Sequence, residues 1–405
     1  METEHDPGAT GRLMTVSDGD PAGFVGRIVA AAREHLDADI GFVAEFDGSD
    51  KVIRESAGGI HGCPVAPGTR FDLRNTYCQR VVAGDLPNVV HDARSDPLVR
   101  DLAITRELDI GLYVGVPVTL GNGRVYGTLC CISHEADPGV HARDVRFMRV
   151  LSDLLGGHLS AQEDERCQRR DRRDALRAAL RDNLRIVYQP IVSLRNGRTA
   201  GMEALARFDT VPARTPDLWF AEAWALGLGE EAELAAVALA LQGRRHLPAD
   251  VYVSVNVSPR VLEGDALERL LATAPPGPVV VEVTEHAIVG EYGPLTRAVE
   301  RCSEAGIRVA VDDFGAGYSG LSHALQVCPS LLKLDVQLTR HIDTDLARQA
   351  LATATAGFAA KTGAEIIAEG IETEAEAVAL RDIGIQYGQG FHFGRPRTLP
   401  RAMPR

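Results

Sequence analysis

The chain has 405 residues, 45% of them apolar and 24% charged, with a mean hydropathy of −0.06 and a formal net charge of −13. That balance excludes a wholly disordered or membrane-embedded chain, and an acidic surface repels nucleic acid polymers. At roughly 100–200 residues per domain, the length predicts two or three domains. Among 43 basic residues only Lys51, Lys333 and Lys361 are lysines, so the place of each carries information. The seven cysteines (Cys63, Cys78, Cys130, Cys131, Cys167, Cys302, Cys328) show no CxxC spacing, which predicts reduced thiols rather than a disulfide framework or a zinc site. METEHDPGAT at the start is polar, unlike a signal peptide. No apolar run approaches the ~18 residues of a bilayer span. The expectation is a cytoplasmic protein without a membrane segment.

In chain order, residues 21–37 read as a helix, followed by β-like runs at Ile40–Phe46 and Lys51–Ala57. Helical stretches near Asn75–Val82 and Pro97–Leu108 flank a short strand, Pro87–His91. Ile110–Leu120 and Arg124–Ile132 are β-rich and joined by Gly121-Asn122-Gly123, a hairpin signal. This pattern predicts an α+β domain with an antiparallel sheet. Residues 160–185 lack Pro and Gly and are built from good helix formers. They continue an amphipathic stretch through Leu151, Leu154, Leu155 and Leu159, and apolar positions return at Leu176, Ala179, Leu180 and Leu184. One long connecting helix with a solvated centre follows. Its Arg-rich run contains Asp171, Asp174 and Asp182 and no aromatic residue, which fits a solvated or dimer-pairing helix better than a nucleic-acid patch.

The remainder repeats short strands at Val187–Val192, Thr199–Phe208, Val251–Val257, Val279–Val283, Arg308–Asp312, Leu331–Leu334, Glu365–Ala368 and Gln386–Phe391, mostly alternating with helices. Eight strands in this length fit a (β/α)₈ barrel. The first two are joined only by Ser193–Arg198, too short for a crossover, so the first strand should run antiparallel.

Polar residues interrupt these apolar strands: Glu203, Asn256, Glu282, Asp312, Asp313, Lys333, Glu369 and Gln389. Barrel catalytic groups sit where strands end, and so many unpaired buried carboxylates would be too costly without cations to neutralise them. Oxygen donors without His or Cys suit Mg²⁺, Mn²⁺ or Ca²⁺. Adjacent Asp312 and Asp313 should point to opposite faces of a regular strand. If both meet metal they must straddle the strand end, where two ions can clamp a phosphodiester. Lys333 supplies a compact positive charge beside them.

These motifs resemble the EAL family of cyclic di-GMP phosphodiesterases. The match runs through Tyr188-Gln189-Pro190, Glu203-Ala204-Leu205 with Arg207, Asn256-Val257-Ser258-Pro259, Glu282-Val283-Thr284-Glu285 and Asp312-Asp313-Phe314-Gly315-Ala316-Gly317-Tyr318-Ser319. Lys333-Leu334-Asp335, Glu369-Gly370-Ile371-Glu372 and Gln389-Gly390-Phe391 complete it. The resemblance implies metal ligands at Glu203, Asn256, Glu282 and Asp312, with Asp313 helping to hold a second Mg²⁺ or Mn²⁺. It implies water activation by Lys333 and Glu369 supported by Gln389, and substrate contacts from Gln189 and Arg207. Glu285 and Glu372 would brace the Asp313–Ser319 loop. The implied reaction opens cyclic di-GMP to linear 5′-pGpG; the alternative is a non-catalytic cyclic di-GMP receptor that signals to a protein partner. Phe208 and Gly320 stand where the family often has Trp and Ser.

Residues 20–160 resemble the GAF family through Thr76-Tyr77-Cys78, the run VVHDARSDP, Val114-Gly115-Val116-Pro117 and Tyr126-Gly127-Thr128-Leu129-Cys130. No cyclic-nucleotide signature is present, and the GAF ligand is left open. Cys78 or Cys63 reads as a chromophore anchor, a redox sensor or a buried structural thiol, the last being the ordinary role of a core cysteine. His61 and His91 fit core positions better than haem ligation. The expected organisation is a GAF domain at 20–160, a connecting helix at 161–185 and an EAL barrel at 186–405. The expected assembly is a homodimer in which the helix passes the GAF signal to the barrel.

Overall fold

The computed structural model describes residues 21–59, 65–284, 292–314 and 327–399. The chain divides into two units, Met1–Gln168 and Arg169–Arg405. In the first, strands β1 (Ile40–Asp47), β2 (Asp50–Gly58), β3 (Arg70–Asp72), β4 (Val89–Val90), β5 (Leu112–Thr119) and β6 (Val125–Ser133) form an antiparallel sheet in the order β3-β2-β1-β6-β5-β4. The Gly121–Arg124 turn closes the β5–β6 hairpin as its sequence predicts, with Gly123 in the left-handed region (φ 82°) and its N–H donating to Leu120. One face of the sheet packs on helix Pro21–His35 and the start of helix Ala142–Asp182 through Val29, Val43, Val114, Met148 and Leu155. The other covers a second core containing Phe42, Tyr77, Cys78, Tyr113 and Cys130, beneath helix Tyr77–Ala83. The helix expected over Pro97–Leu108 is shorter, Ala103–Glu107, because the stretch Asp96–Arg100 is spent on turns closed onto Asp96.

The connecting helix runs unbroken for 41 residues, Ala142–Asp182. Met148, Leu151 and Leu155 are buried in the first unit's core, while Leu176 is buried against Ala223, Leu226 and Leu228 in the second. Leu154, expected on the apolar stripe, is 53% exposed. Leu184 belongs to the next strand rather than to the helix.

The second unit is a closed barrel. Its strands are β7 (Leu184–Ser193), β8 (Thr199–Phe208), β9 (Tyr252–Asn256), β10 (Val279–Thr284), β11 (Arg308–Phe314), β12 (Leu331–Leu334), β13 (Glu365–Ala368) and β14 (Tyr387–Gln389). From β8 to β14 neighbours pair in parallel, while β7 runs antiparallel to both β14 and β8. The interior is layered by the two-residue period of a strand. One layer is apolar: Ile191, Tyr252, Val280, Ala310, Leu331 and Ile367. Gly201 belongs to the same level on β8, and a Cβ there would lie 2.3 Å from the Tyr252 ring, so its bareness makes room for that ring. Two residues further along each parallel strand come Glu203, Ser254, Glu282, Asp312, Lys333 and Glu369; on reversed β7 the same step runs backwards, to Gln189. An apolar floor thus carries a polar layer at the C-terminal rim.

Candidate active site

Lys333 is at the centre of that polar layer. Its side chain is 1% exposed, and its Nζ lies 2.6 Å from Glu369 Oε1, 2.8 Å from Glu282 Oε2, 3.0 Å from Asp312 Oδ1 and 3.5 Å from Glu203 Oε1. Carboxylates from four strands or strand ends therefore meet one ammonium. Burial disfavours the ammonium, but these carboxylates outweigh it and hold Lys333 well above the usual lysine range. The acids divide. Burial also pushes Glu203 up, but Lys333 and hydrogen bonds from Gln389 and Asn256 prevail and keep it below the usual carboxylate range. Glu282, fully buried, is driven well above that range, and burial lifts Glu369 to about 7.

The remaining sequence-predicted residues close around this centre. Gln389 Nε2 donates to Glu203 Oε2 (2.5 Å) and to Gln189 Oε1 (3.1 Å), and Gln189 Nε2 donates to the Gly394 carbonyl (3.1 Å). Asn256 Nδ2 donates to Glu203 Oε1 (3.2 Å). Asp312 and Asp313 do not straddle a strand end, as the sequence suggests. They sit inside β11, where its register with β12 slips between Val311 and Phe314, and Asp313 takes a left-handed φ of 57°. This bulge breaks the alternation that would separate neighbouring side chains. Oxygens of Asp312, Asp313 and Glu369 lie within 4.8 Å of one another, as do those of Glu203, Glu282 and Asp312. Asp312 is common to both groups.

Arg207 is partly buried, with Nη1 bonded to the Ala206 carbonyl (2.7 Å). It does not line the cavity of about 400 Å³ bounded by Gln189, Glu203, Lys333, Glu369 and Gln389. Instead it lines a neighbouring, largely apolar one of about 470 Å³ together with Asn256 and Phe220, and Leu205 borders both. Glu372 pairs with Arg340. Glu285 and residues 315–319 of the loop it was expected to brace lie outside the described residues, as do His61 and Cys63.

Several supports carry no such signal in the motifs. Ser254, fully buried, donates its hydroxyl to Glu282 Oε1. It stands two residues before Asn256, so strand alternation would have found it. Glu233 accepts from Trp224 Nε1 and the Ser258 backbone N–H, both at 2.8 Å, and so anchors the segment that follows Asn256. Thr339 donates its hydroxyl to the Glu369 carbonyl. Gly370 takes φ 68°, and a Cβ there would lie 2.2 Å from Val336 Cγ2. Nothing in local composition announces Glu233 or Thr339, whose partners are distant in sequence.

The residues present fit a divalent cation. One ammonium faces four carboxylates in a buried site, burial drives two of the acids upward despite Lys333, and all the donors are oxygens. Among the described residues, His and Cys take no part in either acidic group.

A closed eight-stranded barrel with one reversed strand and an acidic cluster at its rim defines a TIM-like barrel. The EAL domain model matches residues 172–396 and the GAF domain model residues 20–159. The chain belongs to the EAL domain family, and a GAF domain precedes its EAL domain. It is 30% identical over 233 residues to a cyclic di-GMP phosphodiesterase of Pseudomonas aeruginosa, covering 53% of this chain and 38% of that protein. An uncharacterized signaling protein of Caulobacter vibrioides is 33% identical over 379 residues, 86% of this chain and 44% of that one. The solved PaMucR phosphodiesterase in complex with c-di-GMP is similar at 29% identity and a TM-score of 0.50, over 56% of this chain and 97% of that one. The chain spans less than half the length of these curated relatives. Among the described residues, no helix is long and apolar enough to cross a membrane.

Proposed function

We propose that the barrel hydrolyses cyclic di-GMP to linear 5′-pGpG with Mg²⁺ or Mn²⁺, under the control of the GAF domain, in a cytoplasmic homodimer. The convergence of Glu203, Glu282, Asp312 and Glu369 on Lys333 carries this reading. The likeness to a named cyclic di-GMP phosphodiesterase supplies the substrate. Glu203, Asn256, Glu282, Asp312 and Asp313 would hold the metal, two ions sharing Asp312. Such ions supply Lewis-acid stabilisation of phosphoryl charge and an acidified water.

The chain's own groups do the rest. Lys333 offers an ammonium to a phosphate oxygen or to the attacking oxygen. Glu369, balanced near neutrality, accepts the proton of the attacking water at its carboxylate. Gln389 fixes Glu203 and Gln189 relative to each other. Gln189 then contacts substrate from one cavity and Arg207 from the other. GAF control is supported by the unbroken helix that enters the barrel, and by the Caulobacter relative, whose match covers most of the chain.

The test is incubation of purified protein with cyclic di-GMP and Mg²⁺ or Mn²⁺, with chromatographic resolution of products. Formation of pGpG is expected. Binding without turnover would replace this reading with the cyclic di-GMP receptor.

A further inference from the structure

The GAF core holds a second concentration of reactive groups, independent of the barrel. Cys78 Sγ, on helix Tyr77–Ala83, lies 3.7 Å from Cys130 Sγ on β6. Both thiols are buried, at 1% and 0% exposure. The Tyr113 hydroxyl sits against the pair, 3.4 Å from Cys130 Sγ and 3.9 Å from Cys78 Sγ. Gly115 leaves space for it, since a Cβ there would stand 2.1 Å from the Tyr113 oxygen. The fourth member is Lys51, 3% exposed, whose Nζ lies over the rings of Phe42 (4.9 Å) and Phe71 (4.7 Å). Among the described residues no carboxylate is paired with this buried ammonium.

A buried cation favours a neighbouring anion, and the charge of Lys51 acts on the Cys78 thiol. The hydrogen bond from Cys130, followed by the charge of Lys51, holds Cys78 well below the usual thiol range despite its burial. Burial and the neighbouring Cys78 charge push Cys130 well above that range. The two thiols are thus differentiated: Cys78 is the readier to ionise, and Cys130 lies within reach of it. A low-lying thiolate with a resolving thiol beside it is the arrangement of an oxidant-sensitive cysteine pair.

We propose that Cys78 and Cys130 form a peroxide-oxidisable dithiol, with Cys78 the attacked sulfur, Cys130 the resolving one and Lys51 the positioning cation. In the first step Cys78 thiolate attacks hydrogen peroxide. An S–O bond forms and the O–O bond breaks, so that sulfur loses two electrons and hydroxide leaves, giving a sulfenic acid. In the second, Cys130 sulfur attacks Cys78 sulfur, and the hydroxyl departs with the Cys130 proton as water. The sum is one thiolate, one thiol and one peroxide giving a disulfide, water and hydroxide. The two sulfurs must close by about 1.7 Å to reach a disulfide bond length, which draws helix Tyr77–Ala83 toward β6. Because the thiols are buried, the oxidant must be small and uncharged.

The test uses the full chain. It is treated with hydrogen peroxide or with glutathione disulfide, quenched by alkylation, and mapped by peptide mass spectrometry. Peroxide is expected to yield a Cys78–Cys130 linked peptide, while the bulkier glutathione disulfide leaves both thiols reduced. In Cys130→Ser, dimedone should label Cys78 after peroxide. Lys51→Met should slow linkage at least tenfold. The proposal fails if Cys78 and Cys130 stay reduced while exposed Cys167 and Cys328 are oxidised, and equally if folded Lys51→Met links as fast as the parent. The mapping of the unsubstituted protein stands even if a variant does not fold. It is read separately from cyclic di-GMP turnover, so neither result decides the other.

Discussion

Each domain buries one of the chain's three lysines, and the two burials are opposites. Lys333 is surrounded by carboxylates, more than its single charge can neutralise. Lys51 has aromatic faces about it and its charge acts on the Cys78 thiol, with no paired carboxylate among the described residues. In the barrel the surplus is negative and calls for further cations; in the GAF core it is positive and calls for an anion. The same side chain thus marks a cation site in one domain and a reactive sulfur in the other. What distinguishes them is the charge left over after pairing, not the lysine.

That contrast can be broken most decisively at the barrel. Lys333→Ala leaves four acids facing one another, and Glu203→Ala removes an acid held by Lys333, Gln389 and Asn256. Each is expected to lower cyclic di-GMP hydrolysis by at least about 100-fold, read as the initial rate of pGpG formation. Lys333→Ala should also destabilise the apo protein by about 3–5 kcal/mol in denaturant unfolding, because the buried acids lose their only ammonium. Unchanged turnover in either variant would refute the roles proposed for Lys333 and Glu203. Chelation with EDTA should abolish hydrolysis, and added Mg²⁺ or Mn²⁺ restore it; activity that survives dialysis against EDTA would contradict a metal role for the surplus carboxylates.

Smaller effects sharpen the same picture. Gly370→Ala forces a side chain into a left-handed φ and against Val336, at a cost of about 1–3 kcal/mol, and by displacing adjacent Glu369 it should slow turnover about tenfold. Ser254→Ala takes a hydrogen bond from Glu282 and should cost about 1 kcal/mol, visible as a lowered melting temperature. The smallest shift is expected at Lys51→Met. It loses cation–π attraction of roughly 0.5–2 kcal/mol and the attraction to Cys78 but also sheds the desolvation of a buried ammonium, so the unfolding free energy should move little. A loss as large as that of Lys333→Ala would mean that Lys51, like Lys333, is held by carboxylates.

Much of this was legible in the sequence because strands write their two faces in alternation. Thr199–Phe208, Leu331–Leu334 and Glu365–Ala368 form as strands with the boundaries their composition predicts. Polar residues interrupting them mark the rim. The short Ser193–Arg198 link is sufficient to foretell the reversal of β7. What stayed hidden depends on departures from regularity or on distant partners. The bulge at Asp312-Asp313 is a register slip against β12, which no feature of β11 alone specifies. Glu233 and Thr339 act through the Ser258 N–H and the Glu369 carbonyl, contacts made only once helices and strands are assembled. Cys78 and Cys130 are separated by 52 positions, so counting cysteines finds two core thiols but not a pair.

The reversed strand also decides where the connecting helix meets the barrel. A parallel first strand would begin at the floor, far from the chemistry. Because β7 points the other way, it begins at the rim: Leu184 lies opposite Phe208 and Arg185 opposite Arg207. Only Asn183 separates the helix from this strand, and it is clamped to Asp209 by a backbone bond of 3.0 Å and a side-chain bond of 2.9 Å. Six residues beyond Asn183 is Gln189, hydrogen-bonded to Gln389. Under the proposed GAF control, a twist or a push arriving along the helix would reach the mouth of the cleft without crossing the barrel's apolar floor.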